Sequence, residues 1–225
     1  MQIKDLLYLL KEKIDKRICM NEQQVASVMH VNSRATIDED KCRQQLQIKL
    51  NVFDLAFHNL ESAQMENPEA SKNIKDGRFT FVPFPCGFFV DTLLDAFFFF
   101  GRDRTKKFLD VGCGIGTKVI LASAIFDAYG IEYDERYVSL AHELNINRVG
   151  KADALTFDKY DEFDFIYYYR PIHDTDGYRA LESKIHREMK SGALIAPMHT
   201  EYNWSECDDI EVVVNNPYPK LYKKK

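Results

Sequence analysis

The chain has 225 residues, 45% apolar and 29% charged, which is enough to bury a full core and is long for a single domain. Lys plus Arg is 30 and Asp plus Glu is 35, so the net charge of −5 disfavours a protein that grips nucleic acid through a basic surface. Five scattered cysteines without a C-x-x-C pair argue against a zinc knuckle or a secreted disulfide scaffold. The expectation is a cytoplasmic protein with no signal peptide, no metal site and no membrane span, since no stretch reaches the about 18 apolar residues that a span needs.

Residues 1–66 read as helical. Ile3, Leu6, Leu7, Leu10, Ile14 and Ile18 form one stripe of 3.6-residue period, and Cys42, Leu46, Leu50, Phe53, Phe57 and Leu60 a second. A short third helix is expected around Val25, Val28 and Met29. Asn67-Pro68 and the polar run to Asp76-Gly77 read as a linker, so 1–78 is an N-terminal helical extension and 79–225 the main domain. Phe79 to Pro85 is an extended strap, because its two prolines cannot sit inside a helix. Gly87 to Phe100 is a helix closed by Gly101, with Asp91 and Asp95 expected in solvent.

Beyond Lys106 strands and helices alternate. Strands are expected at 108–111, 129–133, 150–155, 163–169 and 193–198, and helices at 117–127, 135–145 and 178–189. A closing hairpin pairs 210–214 with 219–223 across Asn215-Asn216-Pro217. Such alternation is α/β, a parallel sheet with helices on both faces.

The sharpest motif is Asp110-Val111-Gly112-Cys113-Gly114-Ile115-Gly116-Thr117, between a strand and a helix. That is where a doubly wound sheet binds a nucleotide-like ligand. A dinucleotide site of the G-x-G-x-x-G kind needs its third glycine at position 117, which is Thr117. Asp110 is unhelpful beside a pyrophosphate but suits a ligand with an ammonium group. His173 and Asp174, just past the 163–169 strand, are candidate base or substrate contacts, and Arg170 could clamp a carboxylate or phosphate.

The loop resembles motif I of the class I S-adenosylmethionine-dependent methyltransferases. Gly130-Ile131-Glu132-Tyr133-Asp134, Lys151-Ala152-Asp153-Ala154 and the strand Phe163 to Pro171 follow in the order of motifs II, III and IV. The resemblance covers about residues 79–205. It implies a doubly wound, mostly parallel seven-stranded sheet and S-adenosyl-L-methionine as cofactor. The implied cofactor contacts are Asp110, Gly112, Cys113, Gly114 and Gly116 in the loop, Glu132 at the ribose, Tyr133, Asp153 at the adenine amino group, Ala154 beside the ring, and Tyr167. Pro83 and Phe84 of the strap would wall the methionine end. Tyr169, Arg170 and His173 are the candidate catalytic residues.

Tyr169-Arg170-Pro171-Ile172 departs from the Asn/Asp-Pro-Pro-aromatic motif of base and glutamine methyltransferases, so nucleic acid ranks lower as acceptor. The strap, the tyrosine-rich strand, and Met189-Lys190-Ser191-Gly192-Ala193 leading to His199 and Trp204 are similar to small prokaryotic protein-lysine methyltransferases. That favours a protein side chain, with a small molecule as alternative. Tyr167 and Tyr169 fall on one face of their strand. The oligomeric state and any non-catalytic role stay open.

Overall fold

The computed structural model describes residues 41–50, 86–215 and 220–225. The first helical stripe, the linker, the strap with Pro83 and Phe84, and the tip of the closing hairpin lie outside them.

Residues 41–50 are helical (α1). Helix α2 runs Cys86–Phe99 and buries Phe89, Leu93, Leu94 and Phe97. It stops at Gly101, where φ is 64. The Arg102 N–H reaches the Phe97 carbonyl at 2.8 Å and the Gly101 N–H the Phe98 carbonyl at 2.9 Å, the paired bonds of a Schellman cap.

Asp91 and Asp95 do not face open solvent. One turn apart on α2, they meet Gln47 and Arg43, one turn apart on α1. Leu46 and Leu50 of α1 pack into the same core as α2. The acids are therefore the polar flank of a helix–helix contact, and burial raises the Asp91 carboxyl above its usual range.

Strands β1 (Lys107–Val111), β2 (Asp127–Glu132), β3 (Val149–Lys151), β4 (Phe165–Tyr168), β5 (Leu194–Pro197), β6 (Ile210–Asn215) and β7 (Lys220–Lys224) form one sheet. Its order is β3-β2-β1-β4-β5-β7-β6. β1 to β5 pair in parallel, and β7 runs antiparallel to β5 and β6. Side-chain alternation splits the interior in two. Phe108, Phe165, Tyr167 and Leu194 point toward α2, α3 (Thr117–Ala122) and α4 (Glu135–Glu143). Leu109, Val111, Ile166, Tyr168 and Ile195 point toward α5 (Thr175–Glu188). This is the expected α/β, doubly wound, mostly parallel seven-stranded sheet.

Three elements differ most in extent from the sequence reading. Helix α3 ends at Ala122, five residues early. The Ala122 carbonyl takes the N–H groups of Ile125 and Phe126, and Phe126 turns into the aromatic cluster of Phe97, Phe108 and Phe165. β3 ends at Lys151, because Asp153 turns the chain by accepting the Leu155 N–H. Helix α5 begins at Thr175, capped by Asp174, whose carboxylate accepts the Gly177 N–H at 2.7 Å. Asp174 thus serves as a helix cap. Near the other end of the sheet, Lys106 pairs with Asp164 and Lys107 with Glu162, so this basic turn is tied down by ion pairs.

Candidate functional site

Strand order reverses between β1 and β4, so the loops after these strands diverge and leave a crevice. The two loops meet at one point. A Cβ on Gly112 would sit 2.8 Å from the Pro171 Cβ, and Gly112 has φ 77. Gly116, at φ 80, would strike Val149 at 2.5 Å. Two of the loop glycines are therefore needed for close packing as well as for backbone shape.

The loop's N–H groups are committed internally. Gly112 and Cys113 both donate to the Ile131 carbonyl, at 2.9 and 3.1 Å, and Gly116 donates to the Cys113 carbonyl at 2.9 Å. Gly114 donates to the Glu132 carboxylate at 2.9 Å. These four N–H groups are not available to cradle a pyrophosphate, and two carboxylates flank the loop. Asp110, at the end of β1, is only 3% exposed. Glu132, at the end of β2, also accepts the Asp134 N–H at 2.8 Å.

The chemistry of this donor set bears on S-adenosylmethionine in three respects. A carboxylate offers about four lone-pair directions, so with the N–H groups of Gly114, Tyr133 and Asp134 bonded Glu132 can still accept from a ribose hydroxyl. Burial pushes its carboxyl above the ordinary glutamate range, while N–H groups of Asp134, Gly114 and Tyr133 pull the other way. The Asp110 charge complements an ammonium and opposes a phosphate. Tyr133, directly after Glu132, is 54% exposed and offers an aromatic face at the rim. The residues fit the cofactor.

Asp153 and Ala154 lie just beyond β3, next to Glu132 through the bond from the Ala152 N–H to the Glu132 carbonyl at 3.0 Å. Asp153 spends one oxygen on the Leu155 N–H, and the Ala154 carbonyl accepts the Tyr160 hydroxyl at 2.8 Å. Cys113 is buried, and burial with the charges of Asp110 and Glu132 pushes its thiol well up, which makes it an inert filler. Its sulfur would lie 2.6 Å from a Cβ at position 130, so Cys113 fits only against Gly130.

The candidate catalytic residues sit at the end of β4. Tyr167 is 1% exposed and packs edge-on against Phe89 at 4.8 Å, inside the α2 core. Tyr169, on the same face, is half-buried at the strand end. Arg170 is exposed and holds φ 44 before a proline, a conformation that costs a non-glycine residue energy. His173 is exposed. Pro83 lies outside the described residues.

Sequence reasoning missed a network on the other face. Glu182 of α5 is 0% exposed. It accepts the Tyr168 hydroxyl at 2.7 Å, the Thr200 hydroxyl at 2.5 Å and the Glu201 N–H at 3.0 Å. The Trp204 indole donates to the Tyr168 hydroxyl at 3.2 Å. One turn before Glu182, the Tyr178 hydroxyl donates to the His199 carbonyl, and the two rings stack at 5.8 Å. The available signal was an acid on the apolar stripe Tyr178, Leu181, Ile185 of a helix.

Residues 109–196 match the family profile described as a methyltransferase domain. Its span runs from β1 to β5 and includes the glycine loop, Glu132 and the end of β4. Residues 109–196 therefore resemble a methyltransferase domain, on a sheet with the seven-stranded order of the class I methyltransferase fold. No curated protein matches the chain. Among solved structures it is similar to an amino-pentose methyltransferase from Micromonospora echinaspora, at 19% identity over 55% of each chain and TM-score 0.43. It is similar to an RNA methyltransferase from Salinibacter ruber, at 19% identity over 64% of this chain and 92% of that one, TM-score 0.45. A TehB-like methyltransferase from Corynebacterium glutamicum matches at 17% identity over 58% and 87%, TM-score 0.43. The chain spans about half the length of the first of these relatives, 55%. No helix among the described residues of the methyltransferase domain is long and apolar enough to cross a membrane.

Proposed function

We propose that the protein is an S-adenosylmethionine-dependent methyltransferase whose acceptor is an amine, a protein lysine side chain in preference to a small molecule. The supporting observation is the charge of the chain after β5. Between Lys190 and Lys220 there are five acids, Glu201, Glu206, Asp208, Asp209 and Glu211, and no Lys or Arg. All five are exposed. Asp209 is engaged by His186 and Glu211 by Lys223, which leaves Glu201, Glu206 and Asp208 facing solvent without an ion-pair partner among the described residues. Glu201 stands where the chain leaves β5, on the crevice side, and its charge suits a cationic substrate, whereas Asp209 and Glu211 lie level with Leu194 at the far end of β5 and only add to an acidic surface that repels nucleic acid.

When bound, the cofactor supplies a methyl group on a sulfonium, open to in-line displacement. The residues of this chain do the remaining work. Asp110, Gly112, Cys113, Gly114, Gly116, Glu132, Tyr133, Asp153 and Ala154 would hold and orient it. A lysine ammonium, with a pKa of about 10.4 in water, must lose a proton before it can attack. The half-buried ring of Tyr169 removes water from it and favours the neutral amine. Arg170 and His173 border the acceptor.

A second reading rests on Arg170 itself. Its exposed guanidinium and left-handed backbone suit a clamp on the carboxylate or phosphate of a small acceptor. Tritium-labelled methyl cofactor decides between them. Label should enter lysine peptides and be lost when the lysine is acetylated. Label confined to small anionic amines would favour the Arg170 reading, and label in RNA would contradict both.

A further inference from the structure

The β4 and β5 loops border the gap through which an acceptor reaches the cofactor's methyl group. The Met198 N–H donates to the Tyr168 carbonyl at 3.0 Å and ties the start of one loop to the end of β4. Further out, the chain after β4 enters a strained turn at Arg170, and the chain after β5 leaves at His199. Both exits come back together at one atom. The Tyr178 hydroxyl donates to the His199 carbonyl, and its own oxygen accepts from the Arg170 main-chain N–H. Four residues along α5, the buried Glu182 holds the next two residues of the β5 loop, through the Thr200 hydroxyl and the Glu201 N–H. It also holds the last residue of β4, through the Tyr168 hydroxyl.

We propose that Tyr178, braced by Glu182, is a positioning residue for the methyl acceptor: its hydroxyl locks the loop after β4 to the loop after β5 and sets the width of the gap between Arg170 and His199. This rests on the reading that the acceptor enters at this edge. The hydrogen bonds of Tyr178 and Glu182 all go to the ends of β4 and β5 and the loops beyond them, so their effect falls on the acceptor and spares the cofactor.

His199 is a tempting general base here, but its surroundings oppose that. Its Nδ1 is buried without a hydrogen-bond partner. A proton there would be a buried donor with nothing to bond, which costs more than an unused acceptor. The favoured tautomer carries its proton on Nε2. His199 is part of the wall, positioned by the Tyr178 stack.

The test uses the full chain, with Tyr178→Phe and Glu182→Gln. Tyr178→Phe keeps the ring stacked on His199 and removes only the hydroxyl. Hydrogen–deuterium exchange should speed up together in 169–173 and 198–202, with exchange in 110–118 unchanged. Calorimetry should give a cofactor Kd within twofold of wild type. With the best lysine peptide, kcat should fall about tenfold or the peptide KM rise about tenfold, at constant cofactor KM. Unchanged exchange in either loop would overturn the proposal, as would wild-type kinetics or a uniform loss of protection with weaker cofactor binding. If wild type binds cofactor yet methylates no peptide, the amine reading falls alone, and the paired exchange response still decides whether the tie exists.

Discussion

The two halves of the crevice are built in different ways. The cofactor half, at β1 to β3, is made of backbone: tight glycines, committed N–H groups, and two carboxylates from strand ends. The half proposed for the acceptor, at β4 and β5, is made of side chains reaching across the sheet edge, with Tyr178, Glu182, Tyr168 and Trp204 joined over 14 to 36 residues of sequence. The cofactor is one fixed molecule, and a backbone cradle suits it. An acceptor differs from enzyme to enzyme, and a side-chain frame can be changed without disturbing the loop.

The sharpest way to break this division is at the glycines. Gly116→Ala adds a Cβ 2.5 Å from Val149 at φ 80. Left-handed strain and overpacking together should cost about 2–5 kcal/mol, read as a lower urea midpoint at constant m-value. Gly112→Ala should instead press on Pro171 and disturb the acceptor half from the cofactor half.

Next comes Glu182→Ala, which strips the acceptor from two hydroxyls and one N–H. The expected loss is about 2–4 kcal/mol. Trp204 is the only tryptophan, so its emission should shift as its partner Tyr168 loosens. Cofactor affinity of the folded fraction should hold.

Glu132→Gln should weaken cofactor binding about 10- to 100-fold, or about 1.4–2.8 kcal/mol. The pH dependence has a definite sign. The Glu132 carboxyl titrates above the ordinary glutamate range. Below that raised value it is protonated and loses charge, so cofactor affinity should fall on the acid side sooner than for an ordinary glutamate, and Glu132→Gln should flatten the profile. For folding the sign is opposite. The native state binds the proton more tightly than the unfolded chain, so this group's contribution to stability improves as pH falls through the raised pKa toward the unfolded value.

The smallest effect is expected at the α1–α2 contact. Arg43→Ala removes a half-buried ion pair to Asp95 and should cost less than about 1 kcal/mol by thermal unfolding. A larger loss would mean that α1 belongs to the folding unit of the sheet.

The glycine loop between β1 and α3 was legible because its determinants are local. Asp110 to Gly116 is seven residues long, and a missing glycine at position 117 is visible without a structure. Glu132 follows the same logic at the next strand end. Helix α2 and its Gly101 cap were equally legible, since both depend on neighbours within one or two turns. The acceptor half was not, because Glu182 looks like any helix glutamate until Thr200 and Glu201 fold onto it. Tyr167 and Tyr169 share a face as strand periodicity requires. Periodicity cannot say that α2 covers one of them while the other reaches the strand end. Asp91 and Asp95 read as solvent-facing because their partners stand on a separate helix, 44 and 52 residues away.

The central claim is the cofactor, and the most direct measurement is calorimetric titration of S-adenosylmethionine, S-adenosylhomocysteine and NADH into the folded full chain. Binding of the first two in the micromolar range, about −8 kcal/mol, with no heat from NADH, is the predicted result. Binding of NADH, or of none of the three by folded protein, would contradict it.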